Sequence, residues 1–133
     1  MATTEIQSAV QEAVVGALGV GEDEATPDAT LMDDLGAESI DLLDILFRIE
    51  RKSGVKVATS DLADAIQGGI PDEVFGDQNE IVSSIGLAHL RTVMPQIDPE
   101  ALAGKLGADQ VMSLLTVENL AAIVVRKAEA DVA

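Results

Sequence analysis

Ser39 is the residue of this chain whose type and setting best suit chemistry, because it precedes an apolar run and has acidic neighbours in Glu38 and Asp41. Taken alone, a serine before a helix is most often only an N-cap. The start of a helix also presents unpaired backbone N–H groups and a partial positive charge, which tolerate a phosphodiester. The setting of Ser39 therefore suits a covalently attached anionic group better than a catalytic nucleophile.

Two catalytic alternatives fit the sequence poorly. No Gly-x-Ser-x-Gly motif surrounds Ser39, and we expect the only histidine, His89, on the polar surface of a helix, so a hydrolase triad is disfavoured. Without cysteine the chain has no thiolate for catalysis or for zinc. The acidic runs 22–24 and 33–34 lack the alternating oxygen ligands of a calcium loop, and we predict no metal site.

Helices must position Ser39, because apolar residues recur at helical spacing along most of the chain. We predict a first helix over about residues 4–18, then an acidic loop up to residue 34. A second helix follows from Ser39 to Ser53 and ends at Gly54, a residue suited to the left-handed cap. Its apolar surface is wide, so it either packs on two sides or packs on one and presents apolar residues to partners.

The rest of the chain predicts shorter helices. Capping residues and helix breakers divide it into a short helix from Ser60 to Gln67, one from Ser83 or Ser84 to Pro95, one from Asp98 and Pro99 to Leu106, and a last helix after Thr116 that is expected to fray beyond Ala128.

Composition limits the classes of partner. The chain has 133 residues, enough for one domain, and 24 acidic against 8 basic residues give a net charge of -16. We therefore expect no nucleic-acid binding and partners with basic surfaces. No apolar run is long enough for membrane insertion and no leader is evident at the N-terminus, so the expected location is cytoplasmic.

The segment from Asp28 to Val57 resembles the acyl carrier protein family. In that family a loop ending in Leu-Gly-x-Asp-Ser-Leu presents a serine at the start of a helix; here Leu35 and Gly36 precede Glu38, Ser39 and Ile40. Glu38 replaces the usual Asp and Ile40 the usual Leu. The run after Leu115, which begins Thr-Val, is similar to the start of the family's last helix.

This resemblance implies an all-α, acyl-carrier-like four-helix bundle in a single domain of residues 1–133. Residues 58–113 are then an inserted helical segment before the last helix, named the middle segment below. Ser39 would carry covalent 4'-phosphopantetheine, attached by a phosphopantetheinyl transferase, and hold acyl thioesters without catalysing a reaction. The thiol of that arm would form the thioester, since the chain has no cysteine and so no thiol of its own.

Partners implied by the resemblance are acyltransferases, ketosynthases or related acyl-processing enzymes with basic docking surfaces, and the protein itself is expected to be a monomer. The expected partner-recognition residues surround the attachment serine and follow it along the second helix: Asp34, Glu38, Ile40, Asp41, Leu43, Asp44, Phe47 and Arg51. The chain is similar to enlarged, specialised bacterial carriers, several of which handle long or modified acyl chains, so a specialised fatty-acid or lipid pathway is expected.

Several alternatives stay open at this point. The cargo could be aminoacyl or peptidyl, or the chain could be an unmodified helical adaptor. The middle segment either completes the core or enlarges a pocket for the acyl chain. Three cations near the end of the second helix, Arg48, Arg51 and Lys52, either stabilise the helix terminus or discriminate against enzymes with uniformly basic docking patches.

Overall fold

The computed structural model describes residues 3–76 and 78–132, and for residues 39, 109, 131 and 132 it describes the backbone alone. This part of the chain is helical, with isolated β-bridges and no strand among the described residues, which confirms the all-α prediction. Its elements in order are α1 (Thr3–Leu18), α2 (Ser39–Ser53), α3 (Thr59–Gln67), α4 (Asp72–Phe75), α5 (Ser84–Val93), α6 (Pro99–Leu102), a 3-10 helix (Ala108–Leu114) and α7 (Val117–Val132).

The three long helices form the part of the fold that carries Ser39. α1 packs against both α2 and α7. Their facing side chains are aliphatic and fully buried, because each helix repeats apolar residues at intervals of three or four. The central ones are Ile6, Val10 and Val14 of α1, Ile45 and Ile49 of α2, and Leu120 and Val124 of α7.

The middle segment is organised around α5, which contacts α3, α4, α6 and α7. Leu87, Leu90 and Met94 are buried there and belong to the same apolar cluster as the long helices. A reciprocal amide pair adds a polar link to α7: Gln96 Nε2 donates to Asn119 Oδ1 at 2.8 Å, and Asn119 Nδ2 donates to Gln96 Oε1 at 3.2 Å. The middle segment therefore packs against the last helix.

Several helices begin where the capping side chains in the sequence predicted. Ser83 accepts from Gly86 N–H at 3.1 Å, and Asp98 accepts from Glu100 N–H at 3.1 Å. Thr116 Oγ1 accepts from Asn119 N–H at 3.1 Å at the start of α7. Asp98 and Thr116 are the N-caps that the sequence predicted, and Ser83 is one of the two candidates for α5. Ser60, expected at the start of the short helix, does not cap it, because α3 begins at Thr59 with Ala58 as its N-cap.

Two expectations about the later helices differ from the structure, and two short elements were not predicted. The helix expected up to Leu106 ends at Leu102, because Ala103 leaves helical geometry with a ψ of 123° and Gly104 has a φ of +74°. The last helix, expected to fray after Ala128, has helical backbone up to Val132. The sequence reading also missed α4 and the 3-10 helix, which are short and lack strong capping signals.

Candidate functional site

The loop before α2 is held in a defined shape that sets where the helix begins. Thr30 and Asp34 bond reciprocally, since Thr30 N–H donates to Asp34 Oδ2 and Asp34 N–H donates to Thr30 Oγ1, both at 2.9 Å. Leu31 is buried, and its N–H donates to Leu115 C=O at 3.0 Å next to the start of α7. Ala37 N–H then donates back to Leu31 C=O at 2.8 Å. The loop is thereby anchored both to itself and to the chain leading into α7.

Ser39 is the first residue of α2, and Glu38 is its N-cap, with extended backbone at φ -104° and ψ 171°. The prediction of Ser39 at or next to the N-cap is thus confirmed for the backbone, while its side chain lies outside the described residues. Glu38 N–H donates to Asp41 Oδ2 at 2.8 Å, and Leu42 N–H makes the first intrahelical bond, to Glu38 C=O at 3.2 Å. The backbone N–H groups of Ser39 and Ile40 precede that first bond, where a helix has no internal acceptors.

An exposed apolar face follows the serine along α2. Ile40 is 71% exposed, Leu43 55% and Phe47 56%. Their spacing of three and four residues puts them on one face of the helix, opposite the buried Ile45 and Ile49. Of the two arrangements open at the sequence level, α2 therefore adopts the second: it packs on one side and presents large apolar side chains to solvent.

Three of the acidic residues expected to recognise partners also have structural roles. Asp34 closes the loop through Thr30, and Asp41 accepts the bond from Glu38 N–H. Asp44 pairs with Arg48 one turn on, with Asp44 Oδ1 and Arg48 Nε 3.0 Å apart. These carboxylates remain at least partly exposed, so a partner could still reach them.

All three cations at the basic end of α2 make contacts within the protein. Besides pairing with Asp44, Arg48 lies across α1 so closely that a Cβ on Gly16 would come within 2.6 Å of its Nη1. Lys52 Nζ lies 3.5 Å from Glu12 Oε2 of α1. Arg51 stacks on the exposed Phe47, with its Cζ 5.7 Å from the ring centroid. Arg48 and Lys52 thus join α2 to α1, and Arg51 extends the exposed face.

Sequence reasoning missed Thr30 as a residue that supports the site. The sequence signal for this role is that Thr30 lies four residues before Asp34 in a loop, a spacing that permits each side chain to bond to the backbone of the other residue. Glu12 was missed as well, since its pairing with Lys52 depends on how α1 and α2 pack together.

His89 was expected on the polar surface, and this expectation is wrong. The side chain is half-buried between α5 and α3, with Nε2 3.0 Å from Ala65 C=O. It also lies against the end of α3, where a Cβ on Gly68 would come within 2.3 Å of the ring. The residue joins α5 to α3 within the middle segment, a contact that helical periodicity alone could not reveal.

Among the described residues, no group of three or more histidine, cysteine, aspartate or glutamate side chains has a metal-binding arrangement. No helix in the described ranges has the length and apolar character needed to cross a membrane.

Comparison with known proteins decides the family. Residues 8–67 match the family described as "Phosphopantetheine attachment site". An acyl carrier protein of Thermotoga maritima is 47% identical over 58 residues, which cover 44% of this chain and 72% of that protein. The chain belongs to the acyl carrier protein family. Another member, from Solidesulfovibrio magneticus, is 42% identical over 52 residues, covering 39% of this chain and 67% of the relative.

Membership confirms the predicted cofactor and the absence of catalysis by the carrier itself. The matched region is a phosphopantetheine attachment domain, and the matched relative is a carrier protein. No solved structure matches the chain significantly. The match at residues 8–67 includes α2 and α3 and ends where most of the middle segment begins, so this carrier has a large region beyond the matched part.

Proposed function

We propose that this acyl carrier protein carries its 4'-phosphopantetheine arm on Ser39 and holds acyl intermediates as thioesters for a specialised fatty-acid or lipid biosynthetic pathway. One observation carries the proposal: Ser39 is the first residue of α2, and the exposed face of Ile40, Leu43 and Phe47 runs directly on from it. A partner that docks on this face would have the arm at the edge of its contact.

The local chemistry supports attachment at this position. Backbone N–H groups at the start of α2 and the positive end of the helix dipole favour the negative charge of a phosphodiester. The serine would act as a tether, and the thiol at the end of the arm supplies the reactive atom, in a chain that contains no cysteine.

The exposed face of α2 also supports the proposed partners. These are a phosphopantetheinyl transferase and acyltransferases, ketosynthases or related enzymes with basic docking surfaces. The net charge of -16 attracts such surfaces from a distance, and the three apolar side chains supply contact area once the proteins meet. The monomeric state and the cytoplasmic location expected from the sequence stay predictions.

Modification in vitro tests the attachment site. Incubation of the full chain with coenzyme A and a broad-specificity phosphopantetheinyl transferase should add the mass of one arm, and Ser39→Ala should abolish this addition. Ser84 is the matched control, because it is the first residue of α5 as Ser39 is of α2. Ser84→Ala should be modified like the wild type. An arm mapped to any serine other than Ser39, or an unchanged mass with several transferases, would refute the assignment.

The nature of the cargo needs a separate measurement. Intact-mass analysis of the carrier purified from its native host should show acyl groups on the arm. Finding amino acids or peptides in thioester linkage instead would replace the acyl proposal with an aminoacyl or peptidyl carrier.

A further inference from the structure

The middle segment contains a surface cleft of about 340 Å³ between α3, α4 and the 3-10 helix. Most of its lining is apolar and comes from all three elements: Ala63 and Ile66 of α3, Phe75 of α4, and Ala108, Val111 and Met112 of the 3-10 helix. Ile66, Phe75 and Val111 are also buried core residues, so the packing of the fold fixes the floor of the cleft. α4 and the 3-10 helix lie beyond the family match at residues 8–67, so the matched region alone does not form this cleft.

Two carboxylates also line the cleft and give it a negative charge. Asp72 begins α4, and its Oδ1 accepts a hydrogen bond from the side-chain amide of Gln67. Glu80 has a φ of +62°, which is uncommon for a residue with a side chain, and its C=O accepts from Ala108 N–H at 2.7 Å. Both acidic residues are exposed, and neither forms an ion pair among the described residues. The cleft thus combines apolar walls with two negative charges that no cation neutralises.

This combination determines the chemical class of the occupant. An anionic group would be repelled, and a purely apolar group would leave the two carboxylates without a partner. Lysine and arginine have an aliphatic stem that packs on apolar surface and a cationic end that stays in water. The stem of such a side chain would lie against Ile66 and Met112, and its cation would reach Asp72 and Glu80. The middle segment has nine acidic and two basic residues, and its net charge of -7 attracts basic surfaces.

Exposed apolar side chains extend the same surface from the cleft onto α5. Five large apolar side chains are exposed in the described part of the chain: three form the face of α2, and the other two are Val74 of α4 and Ile85 of α5. Ser83 joins these two elements, because its Oγ donates to Val74 C=O at 2.5 Å and its N–H donates to Phe75 C=O at 2.7 Å. Val74 and Ile85 therefore offer a partner apolar contact area beside the cleft.

We propose that the cleft, Val74 and Ile85 form a second docking site, separate from the face of α2, which binds a protein partner through a lysine or arginine side chain inserted in the cleft. A second copy of this chain is a poor occupant, because two molecules with a net charge of -16 repel each other. A partner that contacts both docking sites is thereby distinguished from enzymes that contact α2 alone. The second site requires neither an arm on Ser39 nor a particular cargo.

Peptide titrations of the full, unmodified chain, followed by methyl NMR, test the chemistry of the site. The probe is a blocked pentapeptide with a central arginine between two leucines, and two companion peptides have norleucine or glutamate in place of the arginine. The arginine peptide should shift the methyl resonances of Ile66, Val111 and Met112 in a saturable way. The norleucine peptide, which keeps an aliphatic stem without the cation, should bind roughly threefold to tenfold more weakly. The glutamate peptide should give no shift.

Charge variants separate the cleft from general electrostatic attraction. Asp72→Asn combined with Glu80→Gln keeps the size of both side chains and should weaken the arginine peptide roughly threefold to tenfold. Glu5→Gln combined with Glu129→Gln is the matched control, because it removes two charges at exposed positions that do not line the cleft. The control should change the affinity by less than about twofold.

Variants of shape test the cleft and the apolar area beside it. Ala63 and Ala108 are exposed, so Ala63→Phe and Ala108→Phe should fold, fill the cleft and abolish binding of the arginine peptide. Ala122→Phe, at an exposed position of α7, is the matched control and should bind like the wild type. Val74→Ser combined with Ile85→Ser should weaken binding roughly twofold to fivefold, because the leucines of the peptide lose apolar contact.

Several results would overturn the second docking site. Equal binding of the norleucine and arginine peptides would make the occupant a neutral hydrocarbon, and equal effects of the two pairs of charge variants would reduce the binding to general attraction. Binding that survives both phenylalanine variants, or that is unchanged without Val74 and Ile85, would place the contact elsewhere. Shifts that depend on protein concentration in the absence of peptide would indicate a second copy instead. Since the chain carries no arm in these measurements, a failure to modify Ser39 refutes the proposed function alone.

Discussion

The amide pair between Gln96 and Asn119 offers a direct test of how the middle segment depends on the last helix. Asn119 is buried, and its Oδ1 accepts both from Gln96 Nε2 at 2.8 Å and from Thr116 N–H at 3.1 Å. Asn119→Ala removes both of these bonds and leaves the buried N–H of Thr116 without its acceptor. Gln96 is exposed, so water can replace what it loses.

The burial of Asn119 and the exposure of Gln96 determine how much stability each substitution should cost. An unsatisfied buried N–H costs about 1–3 kcal/mol and a lost bond at an exposed amide about 1 kcal/mol, so Asn119→Ala should lower the free energy of unfolding by about 2–4 kcal/mol. Gln96→Ala should cost less, about 1–2 kcal/mol, because it leaves the bond to Thr116 intact but removes the acceptor of the buried Asn119 Nδ2. The double variant should reveal a coupling of about 0.5–1.5 kcal/mol between the two side chains.

Denaturant unfolding followed by circular dichroism measures these free energies, with Gln7→Ala as a control at an exposed amide of α1 that should change stability by less than about 0.5 kcal/mol. If the chain is a single domain, as predicted, every variant should unfold in one transition. The reasoning is refuted if Asn119→Ala behaves like Gln7→Ala, or if the protein unfolds in two steps of which only one responds to the substitution.

Two further predictions concern the face of α2 and the packing of the middle segment. Arg51→Glu changes the charge beside Phe47 by two units. For a partner cation about 10 Å away, this change should speed acyl transfer by a housekeeping malonyl transferase roughly threefold at low salt and less than twofold at physiological salt. Equal rates of the two proteins at low salt would contradict the prediction. Gly86→Ala should cost about 1–3 kcal/mol of stability, because its Cβ would lie 2.7 Å from Phe75 C=O, while Gly76→Ala, whose Cβ would meet only an atom at 3.7 Å, should be close to neutral in the same unfolding measurement.

Much of the fold could be predicted because its signals are local. Apolar periodicity located α1 and α2 to within a residue or so, and capping side chains located the starts of α5, α6 and α7. Gly54, with a φ of +77°, ends α2 where expected, because a glycine adopts this left-handed conformation without steric cost. These features depend on residues that are close together in the chain.

The parts that could not be predicted depend on contacts between distant residues. The region after α4 is held by Ser83 N–H donating to Phe75 C=O at 2.7 Å and Val82 N–H donating to Leu106 C=O at 2.9 Å. Such backbone pairings have no side-chain signature, so the short α4 and the 3-10 helix were invisible in the sequence. His89 was misplaced for the same reason: its partner, Ala65 C=O, lies on another helix.

At the candidate site too, local features could be predicted from the sequence, whereas contacts between helices could not. The spacing of Ile40, Leu43 and Phe47 was readable from the sequence, and their exposure agrees with a face available to partners. The contacts made by the charged residues were not readable, since the pairing of Lys52 with Glu12 requires α1 and α2 to be side by side. The attachment serine and the recognition residues stay predictions until the modification experiment is done.

The contacts of α2 suggest how one surface could combine general attraction with selectivity. Long-range attraction of basic enzymes needs only the net charge of -16 and does not depend on any one carboxylate. Selectivity depends on direct contacts between the partner and α2. On α2, Asp44 is already paired with Arg48, and Phe47 is covered in part by Arg51. A partner that binds Phe47 must therefore also accommodate the Arg51 cation, which an apolar socket bordered by a carboxylate does better than a uniformly basic patch. We therefore expect the end of α2 closest to Arg51 to separate dedicated partners from general ones, and the end closest to Ser39 to serve them all.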